Sequence, residues 1–436
     1  MSGYYHIETY GCQMNVRDSE TVAGILEEMG FRKADSVDSA DIILFNTCCV
    51  RDHAEKRLMG NIGALYDRKQ ENPNLIIGIL GCMVQQKEVA DKLFRRFPYV
   101  DLIMGTNSLD KLAGKIEEVR QAKRVNYILK LDDTVIENLP AKRSNPYSSF
   151  VNIMFGCNNY CSYCIVPYVR GPERSRTPEA IIKEVGELVD SGISEITLLG
   201  QNVNSYGKGS DTGFPELLRK IDTIQGLRRI RFMTSHPKDL SDSLIEAMRD
   251  CDKVCPHVHL PLQSGSDSIL KKMNRKYNTA QYLDIVEKLR KNVKDIELTT
   301  DIIVGFPGET EDDFNDTLSM MKKVEFANAF TFKYSKRAGT VAAKMDGQIP
   351  EVVKKERLSV LNALQKEIGV KNNEKYLNYC NDVLVEGFDA KSNTAFGKYP
   401  NFKMVYFDGT QEMVGTYQKV LTTTLYKNSL KGSIVK

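Results

Sequence analysis

The chain has 436 residues, 42% of them hydrophobic and 27% charged, which suits two or three domains with ordinary cores. It contains no run of about eighteen apolar residues and no pattern typical of a signal peptide, so we expect a cytoplasmic protein without a membrane partner. Ten scattered cysteines favour reduced thiols and metal ligation over a disulfide scaffold. A net charge of +3 neither requires nor excludes a nucleic-acid partner, because binding needs only a local basic patch.

In residues 1–135, short apolar runs alternate with helical patterns. Strands are predicted at residues 6–9, 41–46, 75–80 and 102–104, and helices at 19–29, 52–70 and 86–94. Such a β-α-β series predicts a parallel sheet covered by helices. Three of the four strands run directly into a cysteine, namely Cys12, Cys48 and Cys82. Because parallel strands end at the same edge of a sheet, the pattern predicts a three-cysteine cluster site there.

Each of these cysteines also has a simpler interpretation. A single cysteine at a strand end is often only a small buried hydrophobe, and the repetition over three strands is what favours a site. Cys49 follows Cys48 directly and is predicted to pack rather than to ligate. The glycines beside Cys12 and Cys82 would relax the turns and let a bulky cluster approach the backbone.

In residues 146–374, predicted strands and helices also alternate, with a longer spacing between successive strands. Strands are predicted at residues 150–154, 195–199, 229–233, 257–260, 297–303 and 329–333, and helices at 178–191, 215–224, 241–251, 279–292 and 311–324. Six β/α units predict a partial barrel that is open on one side. The chemistry of such barrels takes place at the carboxyl ends of their strands.

The first of these strands leads into Cys157, Cys161 and Cys164, with Tyr163 directly before the third cysteine. Three thiolates at C-x3-C-x2-C spacing can hold three corners of a cubane iron–sulfur cluster and leave the fourth iron open. A structural zinc site would need a fourth ligand, and no further Cys or His lies near this loop. Incidental thiols are the other interpretation, although clustered free cysteines are liable to oxidation.

Polar or glycine-rich turns follow other strands of this region. They lie at residues 200–204, 234–237, 261–265 and 304–309. Taken singly, each is a plain loop. Collected on one rim of a barrel, they would form a pocket able to hydrogen-bond a ribose, an adenine edge and an amino-acid head group.

After a long predicted helix at residues 352–376, strands at 383–387, 402–407 and 420–426 alternate with Gly and Asn turns. This pattern predicts a small antiparallel β-barrel. Its basic and aromatic residues would suit phosphate contacts and base stacking with RNA, although an ordinary solvated surface is the alternative. The residues concerned are Lys398, Tyr399, Phe402, Lys403 and Tyr406.

The spacing of the second cysteine set resembles the signature of radical S-adenosyl-L-methionine (SAM) enzymes, and the whole chain resembles the methylthiotransferases. Residues 8–15 (ETYGCQMN) and 46–51 (NTCCVR) are most similar to MiaB-type tRNA methylthiotransferases. The stretch 396–403 departs from the family, which commonly has Gly-Arg-Thr there. The implied fold is α/β, with an N-terminal parallel α/β domain at residues 1–135, a partial (β/α)6 radical-SAM barrel at 146–374 and a TRAM-like RNA-binding antiparallel β-barrel at 376–436.

The resemblance implies two 4Fe-4S clusters and two SAM molecules per turnover. The cluster on Cys157, Cys161 and Cys164 would cleave SAM to a 5′-deoxyadenosyl radical, and the cluster on Cys12, Cys48 and Cys82 would supply sulfur. The implied reaction replaces the C-2 hydrogen of N6-isopentenyladenosine, next to the tRNA anticodon, by a methylthio group. The alternative within the family is action on threonylcarbamoyladenosine in tRNA or on a ribosomal protein.

The resemblance also implies contacts to SAM and to partners. The implied SAM contacts are Tyr163, Gln201, Asn202, Gln263, Ser264, Val304 and Gly305. From their position just beyond the cysteine loop, Arg170, Arg174 and Arg176 could hold RNA phosphates, and an ordinary solvated loop is the alternative. An electron-donor protein such as flavodoxin or ferredoxin is expected, and the chain is expected to be a monomer. A radical enzyme acting on a protein side chain and a non-catalytic RNA-binding protein are the rival classes.

Overall fold

The computed structural model describes residues 3–49, 52–132 and 134–435, without the side chains of residues 52–56. Val50 and Arg51, which end one family motif, lie outside the described residues, as do residues 1, 2, 133 and 436. The elements form a parallel sheet with helices, a partial barrel and a closed five-stranded barrel, which confirms the predicted fold class. The domain boundaries themselves stay a prediction. No helix in the described part of the chain is long and apolar enough to cross a membrane.

The first group of elements is a parallel α/β layer. It contains β1 Gly3–Thr9, α1 Gln13–Glu28, β2 Phe31–Lys33, β3 Ile42–Thr47, α2 Asp52–Ala64, α3 Tyr66–Glu71, β4 Ile76–Gly81, α4 Lys87–Arg96, β5 Leu102–Met104, α5 Leu112–Arg120 and β6 Val125–Tyr127. The strand order is β2-β1-β3-β4-β5-β6, and all pairs are parallel. Every residue of β3 and β4 is buried, as expected for strands covered on both faces. The sequence pattern misses β2 and β6, because each has one buried apolar residue followed by a polar, exposed one, whereas the equally short β5 is an unbroken apolar run.

The second group is the partial barrel. It contains β7 Ser148–Asn152, β8 Met154–Phe155, α6 Val166–Arg170, β9 Arg174–Ser175, α7 Pro178–Asp190, β10 Glu195–Leu199, α8 Phe214–Asp222, β11 Arg229–Phe232, α9 Asp242–Asp250, β12 His257–His259, α10 Asp267–Lys272, α11 Thr279–Asn292, β13 Glu297–Val304, α12 Glu311–Val324, β14 Asn328–Lys333 and α13 Glu351–Glu374. Two parallel sheets, β7-β10-β11 and β12-β13-β14, are joined by a parallel bridge between Ile230 and Val254. Strands β7 and β14 are the two ends of this series, so the barrel is open between them.

The third group is a closed barrel. It contains β15 Cys380–Asp389, β16 Thr394–Lys398, β17 Met404–Asp408, β18 Tyr417–Tyr426 and β19 Ser429–Ile434. The strands close in the order β15-β16-β17-β19-β18. All neighbouring pairs are antiparallel except β17 and β19, which pair in parallel. Closure leaves no free strand edge, which suits a barrel with so small a core.

The loop between β16 and β17 fastens the closed barrel to the partial barrel. Arg231 donates from Nη1 to the backbone O of Pro400 at 2.7 Å and from Nη2 to the backbone O of Tyr399 at 3.1 Å. The ring of Phe402 stacks on His257 with the centroids 4.5 Å apart. The backbone of this loop is therefore held by a side chain from the interior of the partial barrel.

Burial of the same loop overturns part of the predicted RNA surface. Tyr399 is fully buried, and its hydroxyl donates to the backbone O of Val420 at 2.7 Å. Lys403 is also buried and donates from Nζ to Oδ1 of Asn373 at 2.9 Å. Burial lowers the pKa of Lys403 to about 8. The prediction that Tyr399 and Lys403 lie on an exposed RNA-binding surface is wrong, because both side chains are buried.

Candidate active site

The cysteine loop, residues 156–164, leaves the carboxyl edge of the partial barrel. The antiparallel pair of β8 with β9 closes its base. Cys157 donates its backbone N–H to the backbone O of Gly171 at 3.1 Å. The side chains of Cys157 and Cys161 are buried, and Cys164 is partly buried. Three thiols therefore lie on one short, closed loop, as the spacing predicted.

The surroundings of these thiols fit a metal cluster. Burial raises the pKa of Cys157 to about 11 and that of Cys164 to about 12, so thiolates there need a nearby positive charge. The buried Arg275 donates from Nη1 to Sγ of Cys161 at 3.3 Å. Among the described residues, no three His, Cys, Asp or Glu side chains are grouped as ligands of a single ion. A cubane cluster binds each thiolate to a different iron and needs wider spacing.

Cys12, Cys48 and Cys82 follow β1, β3 and β4, which are neighbours in the N-terminal sheet. Cys12 is exposed, whereas Cys48 and Cys82 are buried. Gly11 has a φ of +129°, and a Cβ at that position would lie 3.1 Å from Sγ of Cys48. The bare glycine backbone therefore lets the Cys12 turn approach Cys48 closely, so three residues distant in sequence gather at one edge of the sheet.

Two further side chains act on Cys82. A hydrogen bond from the Cys49 thiol and the positive charge of Arg170 lower the pKa of Cys82 to about 7, against the effect of burial. Arg170 donates from Nε to Sγ of Cys82 at 3.0 Å and from Nη2 to Oδ2 of Asp18 at 2.7 Å. Cys49 packs against Cys82, and that it does not ligate stays a prediction. Cys82 is thereby poised as a thiolate, the form that binds metal.

The two cysteine sets lie on either side of one interface, at which Cys82 packs against Ile165 and Val169. Arg170 ends helix α6, directly beyond the cysteine loop, and it reaches Cys82 of the N-terminal sheet. Gln201 accepts from the backbone N–H of Gly156 at 2.5 Å, and its Nε2 donates to Sδ of Met14. Met14 lies in the first turn of α1, next to the Cys12 turn. Side chains from the partial barrel thus connect both cysteine sets.

The predicted phosphate-binding role of three arginines is wrong. Arg170, Arg174 and Arg176 are buried and bonded within the protein. Arg176 donates from Nη1 to Oε2 of Glu184 at 2.6 Å, and Arg174 donates from Nη1 to the backbone O of Asp132 at 3.0 Å. A buried guanidinium with such partners is not available to an RNA backbone.

Three of the predicted SAM contacts lie near polar groups of the barrel rim. Gln201 holds the cysteine loop as described. Arg275 donates from Nη1 to the hydroxyl of Tyr163 at 3.5 Å. Gln263 has a φ of +67°, and its buried Oε1 has no hydrogen-bond partner among the described residues. An unpartnered buried acceptor beside the rim is consistent with a ligand-binding role.

The other four predicted SAM contacts also bond or pack within the barrel, and the buried Oδ1 of Asn202, like Oε1 of Gln263, has no hydrogen-bond partner among the described residues. Asn202 donates from Nδ2 to Oδ2 of Asp239 at 2.8 Å. Ser264 lies 3.4 Å from the hydroxyl of Thr317, and Val304 belongs to the hydrophobic core. Gly305, with a φ of +72°, donates its N–H to Oε2 of Glu309 at 2.6 Å. Their assignment to SAM stays a prediction.

The sequence did not indicate that Arg170 pairs with Asp18 and Cys82, and it gave no sign that Arg275 belongs to the site. Arg170 is one of three arginines that follow the cysteine loop, so the sequence shows its position in the chain but not its partners. Arg275 lies on an ordinary polar stretch that carries no motif. Both become recognisable once the fold brings their guanidinium groups to cysteine sulfurs.

Comparison with known proteins agrees with this architecture. The profile of the Radical SAM superfamily matches residues 151–321, and that of Uncharacterized protein family UPF0004 matches residues 4–105. The tRNA-2-methylthio-N(6)-dimethylallyladenosine synthase of Caldicellulosiruptor saccharolyticus is 51% identical over 434 residues, covering 99% of this chain and 92% of that protein. The protein of the same name from a Thermoanaerobacter species is 50% identical over 438 residues, covering 99% and 93%.

Solved structures resemble the fold at low sequence identity. The radical SAM methyltransferase TsrM of Kitasatospora setae, with cobalamin and a [4Fe-4S] cluster bound, has a TM-score of 0.57 at 15% identity and covers 79% of this chain and 77% of its own. The cobalamin-dependent radical SAM enzyme OxsB has a TM-score of 0.54 at 12% identity, with coverage of 84% and 56%.

A partial parallel barrel whose first strand leads into a three-cysteine loop defines the radical SAM class of proteins, and the matched profile covers this loop. Relatives at 50–51% identity span nearly the whole chain. The chain belongs to the family of the tRNA-2-methylthio-N(6)-dimethylallyladenosine synthases.

Proposed function

We propose that this chain replaces the C-2 hydrogen of N6-isopentenyladenosine, next to the tRNA anticodon, by a methylthio group. The observation that carries the proposal is that two cysteine sets lie on either side of one interface, joined by Arg170 and Gln201. One set suits cleavage of SAM, and the other suits delivery of sulfur. The 51% identity to a synthase of this name supports the choice of substrate.

We infer two 4Fe-4S clusters, one held by Cys157, Cys161 and Cys164 and the other by Cys12, Cys48 and Cys82. When bound, the first cluster supplies the electron that cleaves SAM, and the second supplies sulfur. The chain's own groups prepare these sites. Gln201 holds the cysteine loop through the N–H of Gly156, and the buried cation of Arg170 stabilises negative charge on Cys82. Burial of Cys157 and Cys161 limits the access of water to reactive species at the cysteine loop.

Further parts of the proposal concern ligands and partners. Two SAM molecules are consumed per turnover, one for the radical and one for the methyl group. The proposed SAM contacts are Tyr163, Gln201, Asn202, Gln263, Ser264, Val304 and Gly305. A protein such as flavodoxin or ferredoxin delivers the electron, and the enzyme acts as a monomer in the cytoplasm.

The test is to incubate the anaerobically reconstituted chain with SAM, a reductant and isopentenylated tRNA, and to analyse the digested nucleosides by mass spectrometry. The expected product is 2-methylthio-N6-isopentenyladenosine. If 5′-deoxyadenosine forms while this nucleoside stays unmodified, the substrate is wrong. The same assay with threonylcarbamoyladenosine tRNA or ribosomal proteins then tests the alternative within the family.

Replacing Gly156 with alanine should lower the rate of SAM cleavage by about tenfold or more. Gly156 has a φ of +77°, and a Cβ there would lie 1.8 Å from the backbone O of Pro172, so the cysteine loop must shift. Release of 5′-deoxyadenosine measures the effect. Gly186→Ala is the control, since its Cβ would meet nothing within 4 Å on helix α7. Equal rates for the two variants would show that the loop tolerates displacement.

Replacing Tyr406 with alanine should weaken tRNA binding about tenfold, because loss of a stacking ring removes base contacts. Tyr406 lies on the outer face of the closed barrel, and its ring centroid is 5.9 Å from that of Phe396 and 5.1 Å from that of Tyr426. Fluorescence anisotropy at constant salt measures the affinity. The exposed Tyr66, on helix α3, provides the control Tyr66→Ala, which should bind as the wild type does. Wild-type affinity of Tyr406→Ala would exclude this face as an RNA surface.

A further inference from the structure

A cavity of about 490 Å³ lies at the seam between the partial barrel, helix α13 and the closed barrel. His257, Thr299 and Phe330 contribute to its wall from the amino-terminal halves of their strands. None of the described residues that line it is a cysteine of the two sets or a proposed SAM contact. The cavity is therefore separate from the candidate active site, and its size is that of a small-ligand site.

Two buried amides face this cavity with one unpartnered atom each. Gln365 donates from Nε2 to the backbone O of Phe326 at 3.1 Å, which leaves its Oε1 without a partner among the described residues. Asn401 accepts at Oδ1 from the backbone N–H of Lys403 at 3.4 Å, and its Nδ2 has no partner within the described chain. Gln365 is 8% exposed and Asn401 is 2% exposed. The cavity wall thus contains one buried acceptor and one buried donor without partners among the described residues, and such groups cost free energy unless a ligand or water pairs them.

The remaining wall is aromatic and basic. The ring of Phe330 is 46% exposed although it lies beside a buried histidine, His259, with the ring centroids 5.8 Å apart. Lys366 extends from the exposed surface of α13 at the cavity. The other two lysines of the wall are ion-paired, Lys398 with Glu386 at 2.9 Å and Lys403 with Glu297 at 3.7 Å, so Lys366 supplies the positive charge for a ligand. This combination favours a ligand with a planar ring and a negative charge.

We propose that the cavity binds one unpaired nucleotide of the tRNA substrate, outside the modified base; this inference rests on the proposed function. Every nucleobase carries hydrogen-bond donors and acceptors on its edges, which matches Gln365 Oε1 and Asn401 Nδ2. Phe330 stacks on the base, and Lys366 pairs with its phosphate. Because the closed barrel contributes Asn401, the bound nucleotide also holds the RNA across the seam between the two barrels.

The experiment measures the affinity of the reconstituted full-length chain for isopentenylated anticodon stem-loop RNAs, each lacking one loop base. We expect Phe330→Ala to bind the intact RNA about tenfold more weakly than the wild type does. We also expect one abasic position to weaken the wild type and to leave Phe330→Ala unaffected. Gln365→Met keeps the side-chain length and removes the acceptor, and it should bind about fivefold more weakly.

The matched controls lie on the same elements. Phe332 on β14 is 45% exposed and does not line the cavity, so Phe332→Ala is the control for loss of an aromatic ring. Lys355 on α13 is exposed and does not line the cavity either, so Lys355→Ala is the control for loss of a positive charge. Both should keep wild-type affinity, whereas Lys366→Ala should lose affinity in a salt-dependent way. Wild-type affinity of Phe330→Ala, or an equal loss for every abasic RNA, would overturn the proposal. Failure of the wild type to bind any isopentenylated RNA would instead refute the proposed function itself.

Discussion

Cys82→Ala is expected to abolish methylthiolation while SAM cleavage continues, whereas Cys157→Ala is expected to abolish both. The two cysteines belong to different sets on different elements, one at the end of β4 and the other on the cysteine loop. If the proposed roles hold, loss of the set at the N-terminal sheet leaves the cysteine loop and its SAM cleavage intact. Each variant should then bind about half of the wild-type iron after reconstitution, since the proposal assigns one cluster to each set.

The measurements are release of 5′-deoxyadenosine, formation of the methylthiolated nucleoside and iron content, all on the same preparations. Cys380→Ala is the matched control, because Cys380 is an exposed cysteine at the start of β15 in the closed barrel. It should keep both activities and the full iron content. Full methylthiolation by Cys82→Ala would show that the assigned sulfur site is wrong. Continued SAM cleavage by Cys157→Ala would exclude the cysteine loop as the site of that reaction.

Arg170→Met is expected to lower the free energy of unfolding of the metal-free chain by about 3 kcal/mol and to abolish methylthiolation. Burial lowers the pKa of Arg170, but the charges of Asp18, Cys82 and Cys12 outweigh this effect and raise it well above its ordinary value. The side chains of Arg170 and Asp18 are 5% and 12% exposed. Removing the cation therefore leaves a carboxylate buried without its partner and removes the guanidinium that α6 places against Cys82.

Urea unfolding of wild type and variant measures the loss of stability. The double variant Arg170→Met with Asp18→Asn should recover part of it, because the unpaired charge is then gone. Lys142→Met is the control, since Lys142 pairs with Glu27 at 3.2 Å on the surface, with side chains 61% and 32% exposed. That pair should contribute less than about 1 kcal/mol. Equal destabilisation by Arg170→Met and Lys142→Met would contradict the role of burial.

The local pattern of the chain was sufficient to predict the fold class and to predict which cysteines lie together in each of the two sets. The C-x3-C-x2-C spacing acts within one loop, and the cysteines after β1, β3 and β4 share an edge because parallel strands end on the same side. Strands β2 and β6 were not predictable, since each has one buried apolar residue followed by a polar, exposed one, unlike the apolar run of β5. The bounds of long, buried strands such as β4 followed the apolar runs closely.

Only the tertiary structure decided which charged and aromatic side chains are available to a ligand. Arg170 and its partner Asp18 are separated by 152 positions, so no local pattern could show that this arginine is buried and paired. The same reason applies to Tyr399, because its hydroxyl donates a hydrogen bond to the backbone O of Val420 inside the closed barrel. It also applies to Arg275, because its guanidinium contacts Cys161, which is 114 positions away in the sequence. The sequence by itself determines what chemistry a loop can perform, whereas burial and ion pairing arise from contacts between residues that only the fold brings together.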